Sequence, residues 1–373
     1  VYYLDNAATS YPKPPSVVRA AVDAMHCGNP GRGGHRLAVR GEEILYRVRE
    51  KAAAFFGASP ERVVFTQNAT HALNVALAGV QGEVVTGDME HNAVRRPLLN
   101  NRRVRRRMAK VEDEDEKTLA DFRALLSPCT ALCCVTAQSN VTGQRLPIAE
   151  IAQMCRKYNI PFVVDASQAA GTMDLQVDRD GISMLCTAGH KGLYGMMGSG
   201  LLILGEGVCP APFLYGGSGG DSQAVGMPDL PPERLEAGTQ NVPAIASLGA
   251  GLDFVTRQGR EAIAERERRL AQSVYDELCE VGPIKFYGRP QSGTLLLNIE
   301  GIPSHEVAMR LDEAGIAVRA GLHCAPDAHQ KLGTVPDGGV RVSFGAFNGW
   351  ESAEKIEKEL KKIAKSVSFL KNL

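Results

Sequence analysis

No apolar stretch in this chain of 373 residues approaches the length of about eighteen that crosses a bilayer. Nor does a basic region followed by an apolar run open it, so neither a membrane span nor a secretory signal is expected, and a cytoplasmic enzyme is the default. A surplus of charge is also missing. Forty-two basic residues balance forty-two acidic ones, which gives no reason to expect nucleic acid or a membrane surface as partner. Among nine cysteines there is no CxxC pair, which argues against a zinc ribbon or thioredoxin-type site, and no metal site is expected. An odd count in a long chain does not suit a disulfide scaffold. Most of these thiols are expected as small core residues, most clearly Cys133 and Cys134 inside Ala131-Leu-Cys-Cys-Val135. Gly216-Gly-Ser-Gly-Gly220 lacks a following Gly-Lys-Ser/Thr and reads as a flexible loop rather than a phosphate loop.

What is present is a series of short apolar runs ending in polar or glycine-containing turns. They are Arg62–Thr66, Glu83–Gly87, Ala131–Val135, Pro161–Asp165, Ser183–Cys186 and Gly200–Leu204, with helical periodicity between many of them, as at Thr70–Ala78 and Ile148–Tyr158. Continuous apolar runs alternating with helices predict an α/β layer structure with a mostly parallel sheet, whose ligands bind at the carboxyl ends of the strands. After about residue 250 the texture changes. Gly251–Gly282 reads as one long charged helix, followed by strand-like Thr294–Asn298, a helix at Ser304–Ala314, strands near Ile316–Arg319 and Gly339–Ser343, and a helix at Ser352–Lys365. This predicts a smaller α+β unit. Arg102–Arg107 is followed closely by the acidic Glu112–Glu116 and reads as a solvated surface excursion rather than a nucleic-acid patch.

Four places carry chemistry. Lys191 follows an apolar strand and sits among glycines in Ala188-Gly-His-Lys191-Gly-Leu-Tyr-Gly195, where a lysine of depressed pKa can form a Schiff base with an aldehyde. Asp165 ends the strand Phe162-Val-Val; it can pair with a pyridine nitrogen, or serve as an N-cap. Thr66-Gln-Asn-Ala-Thr70-His opens a helix after a strand, which suits a phosphate cradle and equally an ordinary capped helix. His91, in Glu90-His91-Asn-Ala93, could stack on an aromatic cofactor and handle protons, or be structural.

In this order the set resembles the class V aminotransferase family of fold-type I pyridoxal-phosphate enzymes, and within it the cysteine desulfurases and selenocysteine lyases. The resemblance runs from Tyr3-Leu-Asp-Asn-Ala-Ala-Thr9 to Arg341-Val-Ser-Phe-Gly-Ala-Phe-Asn348. It implies an N-terminal segment at 1–15 near the active site, a large cofactor-binding domain at 16–255 and a small C-terminal domain at 256–373. Lys191 would be the Schiff-base lysine, Asp165 the partner of the pyridine nitrogen and His91 the stacking residue. Gln168 would contact the phenolic oxygen, Asn140 would approach cofactor and substrate, and Ala69, Thr70 and His190 would hold the phosphate. Thr239 would reach the phosphate of a partner subunit, implying a homodimer. Arg341 would clamp the substrate carboxylate with its planar fork, and Arg32 and His35 match a family loop near the substrate entrance. Where the family usually carries Ser or Thr, three residues before the lysine, this chain has Ala188. One hydroxyl contact is thereby lost, and Thr187 is expected to point elsewhere.

Arg319-Ala-Gly-Leu-His-Cys324-Ala-Pro326 decides among family members. A cysteine flanked by His323, with Arg319 nearby, sits in a setting that can favour thiolate. The segment resembles the short active-cysteine loop of the second desulfurase subgroup, which works with the Suf iron–sulfur machinery. The implied activity converts L-cysteine to L-alanine and leaves a persulfide on Cys324 for an acceptor protein, with proton transfers by Lys191 and His91. A selenocysteine lyase or another carbon–sulfur lyase is the alternative within the family, and a non-catalytic sulfur carrier or scaffold the alternative from another class. A transaminase would have no use for Cys324.

Overall fold

The computed structural model describes residues 1–31, 34–218 and 223–370, with side chains described up to residue 366. The chain begins with β1 (Tyr2–Tyr3), α1 (Pro15–Ala24) and α2 (Arg36–Phe56). Strands and helices then alternate: β2 (Val63–Thr66), α3 (Ala69–Leu77), β3 (Gly82–Gly87), α4 (Asn92–Asn100), β4 (Val104–Ala109), α5 (Asp115–Leu125) and β5 (Thr130–Thr136). The alternation continues through α6 (Ile148–Lys157), β6 (Phe162–Asp165), the single turn α7 (Val177–Asp180), β7 (Met184–Ala188) and β8 (Gly200–Leu204). Beyond them come α8 (Val242–Gln258), α9 (Arg260–Leu278), β9 (Ile284–Phe286), β10 (Thr294–Ile299) and α10 (Ser304–Glu313). The chain ends in β11 (Ile316–Ala317), β12 (Arg319–Gly321), α11 (Pro326–Lys331), β13 (Gly339–Ser343) and α12 (Trp350–Leu370).

Seven strands form one sheet in the order β2-β8-β7-β6-β5-β3-β4. Only β8 runs against the rest, being antiparallel to both β2 and β7 while the other pairings are parallel. The apolar runs read as doubly buried strands because both faces are covered. On β5, Cys133 joins a core with Phe56, Val85 and Val164, and the next residue, Cys134, joins a core on the other face with Val84, Val163 and Cys186. A second, antiparallel sheet, β12-β13-β10-β9, packs Leu295, Leu297, Val340 and Val342 against Leu270, Val274 and Leu278 of α9 and Ile356 and Leu360 of α12. The first residues are tied to this sheet's side of the molecule, since β1 pairs in parallel with β11 at Tyr2 and Ile316.

Three expectations need correction. Gly251–Gly282 is not one helix: Gly259, at φ 83°, breaks the run into α8 and α9 while its N–H still reaches Val255 O. A periodic charge pattern does not register one residue of non-helical backbone, which glycine adopts without steric cost. The basic run Arg102–Arg107 is not simply a solvated surface excursion: from Val104 it forms β4, the edge strand, where the Arg106 side chain is only 7% exposed and bridges Asp327 at 2.6 Å. And the cysteines are not mostly core: Cys133, Cys134, Cys155 and Cys186 are buried, Cys27 is half-buried, and Cys129, Cys209, Cys279 and Cys324 are exposed. All nine are free thiols. Among the described residues no helix is long and apolar enough to cross a membrane.

Because β2, β3, β5, β6 and β7 share one direction, the segments leaving Thr66, Gly87, Thr136, Asp165 and Ala188 emerge along a single edge. The loop after β7 is pressed against the turn after β6 by two glycines. A Cβ on Gly192 would come within 2.3 Å of Ala170 O, and one on Gly171 within 2.2 Å of Gly192 O. Replacing Gly192 by alanine is expected to destabilise the cofactor-free protein by about 1–3 kcal/mol through overpacking. Urea unfolding of the two proteins tests this, and equal midpoints would refute the close approach.

Candidate active site

The edge holds a cavity of about 200 Å³, and eight residues singled out from the sequence line it together: Ala69, Thr70, His91, Asn140, Asp165, Gln168, His190 and Lys191. Each lies at or just beyond the carboxyl end of a strand, where a parallel sheet presents its ligand crevice. Asn68 caps α3 by accepting from His71 N–H at 2.8 Å, so the first turn of that helix opens on the cavity with Ala69 and Thr70. Helix termini of this kind favour anions.

The amine of Lys191 is drawn into the protein and pushed down to about 8. Desolvation is the main cause; Asp165 opposes it, Arg341 and Arg319 add to it, and Cys324 opposes it weakly. Asp165 is 3% exposed and accepts hydrogen bonds from the N–H and hydroxyl of Ser167, so no following helix uses it as a cap. His91 caps α4: its Nδ1 accepts from Ala93 N–H at 3.0 Å. That bond places the proton of the neutral ring on Nε2, and burial, the leading influence, lowers its pKa and favours the neutral form. The N-terminal segment closes one side. Gln168 Nε2 donates to Ala7 O at 2.9 Å, and His190 Nδ1 lies 3.1 Å from Thr9 Oγ1. Burial, helped by the charges of Lys191 and Lys13, pushes His190 down to about 4.

Arg341 does not line the cavity but stands behind it. Its guanidinium, 2% exposed, donates to Asn140 O at 3.0 Å and to Asp5 Oδ1 at 2.7 Å, while Nε has no partner. Thr187 is fully buried and its hydroxyl points to Ala166 O at 3.4 Å, away from the cavity that Ala188 lines. The structure does not bring Thr239 to this cavity: it lines a separate one of about 290 Å³ with Tyr46, Arg49 and Glu236. His35 is an N-cap, its Nδ1 accepting from Ala38 N–H, and lies outside the cavity lining. Arg32 lies outside the described residues. Among those described, no group of acidic, histidine and cysteine side chains could hold a metal.

Cys324 is exposed, and its carbonyl accepts from Asn92 N–H at 2.7 Å, next to His91. The expected help from His323 is a correction. That ring is 5% exposed and turned inward, with Nε2 on Arg319 O and Nδ1 on His329, and burial pushes it to about 3. A neutral ring facing away supplies no cation beside the thiol.

Sequence reasoning missed Ser167, which stood as an Asp-x-Ser turn beside Asp165, and Asp5, the partner of Arg341. It also passed over Glu90. That side chain is fully buried, accepts from Gly87 and Thr136 N–H at 3.2 and 3.1 Å, and is pushed up to about 8 by burial. It clamps β3 to β5 just beneath His91; a lone glutamate before a histidine gives no sequence signal of that.

A lysine and an aspartate meeting at the carboxyl edge of a mostly parallel sheet, over a helix amino terminus, is the arrangement of a fold-type I enzyme. The chain belongs to the aminotransferase class-V family, whose model matches residues 2–356. It is 32% identical to a probable cysteine desulfurase of Methanothermobacter thermautotrophicus, over 97% of this chain and 94% of that one. It is also 32% identical to a cysteine desulfurase of Haloferax volcanii, over 95% and 87%. Among solved structures, the apo cysteine desulfurase of Thermococcus onnurineus NA1 superposes with a TM-score of 0.89 at 30% identity, covering 98% of this chain and 94% of that one.

The buried imidazoles give the protein an acid sensitivity. His190, His323 and His329 stand at about 4, 3 and 4 in the folded state, against about 6.5 unfolded, burial being the leading cause. Between those values these three rings bind more protons in the unfolded chain, so their contribution to stability is full above pH 6.5 and is lost as pH drops towards 4. Glu90, protonated in the folded state up to about 8, has the opposite slope, so the test is a difference: in thermal melts of the cofactor-free proteins, the advantage of wild type over His190→Gln should shrink as pH drops from 6.5 towards 4.

Proposed function

We propose that this chain is a pyridoxal-phosphate-dependent cysteine desulfurase that takes sulfur from L-cysteine, releases L-alanine and holds the sulfur on Cys324 as a persulfide. The observation that carries the reading is the convergence of Lys191, Asp165, His91 and the α3 amino terminus in one cavity, with Cys324 tethered beside His91. These residues fit the cofactor. A lysine amine near neutrality can hold an aldehyde, a buried carboxylate suits a protonated ring nitrogen, and a helix amino terminus suits phosphate.

When bound, pyridoxal phosphate supplies a sink for the electrons left at the α-carbon of the substrate. Lys191 would anchor it, Asp165 would keep a proton on the ring nitrogen, and Ala69, Thr70 and His190 would lie at the phosphate, with one hydroxyl fewer than usual at Ala188. Gln168 would face the phenolic oxygen, and Asn140 would orient the substrate, whose carboxylate Arg341 would bind. Lys191 removes the α-proton, its amine being largely deprotonated above pH 8. The Cys324 sulfur attacks the substrate sulfur; the new S–S bond forms as the C–S bond breaks, and a proton takes the sulfur's place on the β-carbon. His91, with its proton on Nε2, is the second acid–base group. The persulfide then passes to an acceptor protein, in keeping with iron–sulfur cluster assembly in the cytoplasm. The division into a segment at 1–15, a large domain to residue 255 and a small domain beyond is part of the same proposal.

Cys324→Ala tests the reading most directly. The variant should take up the cofactor and develop its visible absorption, yet form alanine from L-cysteine at least about 100-fold more slowly, since no other nucleophile is assigned to the sulfur. Undiminished alanine release would end the mechanism. L-selenocysteine run in parallel separates a desulfurase from a lyase by the preference of the wild-type protein.

Thr239 lies outside the cavity of its own subunit. By the family resemblance it would complete the phosphate site of a partner subunit in a homodimer, and sedimentation should show a dimer at assay concentrations. A fully active monomer would exclude it.

A further inference from the structure

Cys324 stands on backbone that L-amino acids avoid. His323 and Cys324 take φ values of 48° and 57° in succession, both left-handed. Such residues persist where their surroundings over-determine them, and they gather at functional sites. Two restraints come from the large sheet: Asn140 Nδ2 donates to His323 O at 2.7 Å, and Asn92 N–H donates to Cys324 O at 2.7 Å.

The third restraint is a chain of side chains behind the turn. His323 Nδ1 lies 3.1 Å from His329 Nε2, and His329 Nδ1 lies 2.7 Å from Thr334 Oγ1. Its protons can be placed by elimination. His323 Nε2 faces Arg319 O at 3.1 Å, and a carbonyl only accepts, so Nε2 carries the proton and Nδ1 the lone pair. His329 must then donate from Nε2, which leaves its Nδ1 to accept from the Thr334 hydroxyl. Both rings are buried, His329 completely, and burial keeps both neutral. The single Thr334 hydroxyl proton has a second acceptor, His329 O at 3.2 Å, and the shorter 2.7 Å contact to Nδ1 takes it, so that donor and acceptor alternate along the chain.

We propose that Thr334, His329 and His323 form a positioning chain that holds the left-handed turn and so sets the direction of the Cys324 thiol. His329 and Thr334 line no part of the cavity. They act through His323 and the backbone, and are positioning residues rather than catalytic ones. Direction matters because one sulfur displaces a carbon from another along the line of the breaking bond. Misplacing a reacting atom by about 1 Å can cost on the order of 100-fold. The functional half of this inference rests on Cys324 being the sulfur acceptor; the structural half does not.

Three variants separate the chain from general packing. His329→Gln keeps a donor for His323 and an acceptor for Thr334. His329→Leu leaves the buried His323 lone pair without a donor, and Thr334→Val removes the hydroxyl at little change in volume. In the cofactor-free proteins, amide exchange at Asn92 and Ala325, whose N–H groups bond Cys324 O and Leu322 O, reports the turn. In the loaded proteins, single-turnover persulfide formation on the Cys324 peptide reports the sulfur transfer, and visible absorption reports cofactor uptake. The His329→Leu and Thr334→Val proteins should exchange faster at those two amides alone and transfer sulfur about 10- to 100-fold more slowly. Cofactor uptake should stay unchanged, and the glutamine variant should stay near wild type. Wild-type exchange and transfer in the leucine or valine variant would overturn the proposal, as would equal losses with glutamine and leucine. If the leucine variant does not fold, the valine variant decides by the same measurements. If wild-type protein makes no persulfide from cysteine, the activity reading fails, and the exchange measurements still decide the chain.

Discussion

Asn140 carries the contact on which the arrangement of the site depends. Its segment leaves β5 at the carboxyl edge of the seven-stranded sheet, and its two polar ends reach the smaller sheet's side of the molecule. The amide nitrogen binds the carbonyl before Cys324, and the backbone carbonyl receives the guanidinium of Arg341 from β13. Arg341 in turn holds Asp5 of the N-terminal segment. One buried residue thus connects the lysine-bearing edge, the thiol-bearing turn and the first residues of the chain. Each of these groups is costly to bury unpaired, so the three parts are held in a common register by the same bonds that satisfy them.

Burial also divides the titratable groups by task. Lys191 is lowered towards neutrality, Glu90 is raised to about 8, and His190 and His323 are lowered to about 4 and 3, with desolvation the leading cause throughout. The same physical cause therefore leaves near the cavity floor a lysine able to act as a base and a carboxyl group that stays protonated while it ties two strand ends together. The imidazoles become fixed neutral donors and acceptors. A group poised to change protonation near neutral pH and a group held in one protonation state are adjacent in the chain at Lys191 and His190.

What the sequence disclosed and what it withheld follow from range. The strands of the large sheet and the residues just past their ends were legible because a doubly buried strand writes a continuous apolar run, and the polar residue that ends it faces the crevice. Lys191, Asp165, His91 and Thr70 are all local to such ends. The bonds that assemble them are not local: Asn140 to His323 spans 183 positions and Arg341 to Asp5 spans 336. Nothing in a histidine within the six residues of α11 marks His329 as a donor to His323. The setting of Cys324 was misread for a similar reason, since adjacency in sequence says nothing of which way the His323 ring turns. Gly259, one residue in a long periodic run, hid the break between α8 and α9. Basic residues flanking β4 hid a strand, because charge describes its outer surface and not its pairing.

That last strand has a consequence for how copies of the chain can meet. Among the described residues β4 is paired with a strand on one side only, by β3, so its other side presents backbone donors and acceptors that no strand takes up. Such an edge is a template for extending the sheet into a second molecule. Here it is flanked and studded by the exposed Arg102, Arg103 and Arg105. Two such edges brought side by side with their Arg105 residues in register would set like charges against each other. Basic residues on an edge strand work in this way against growth of the sheet at β4.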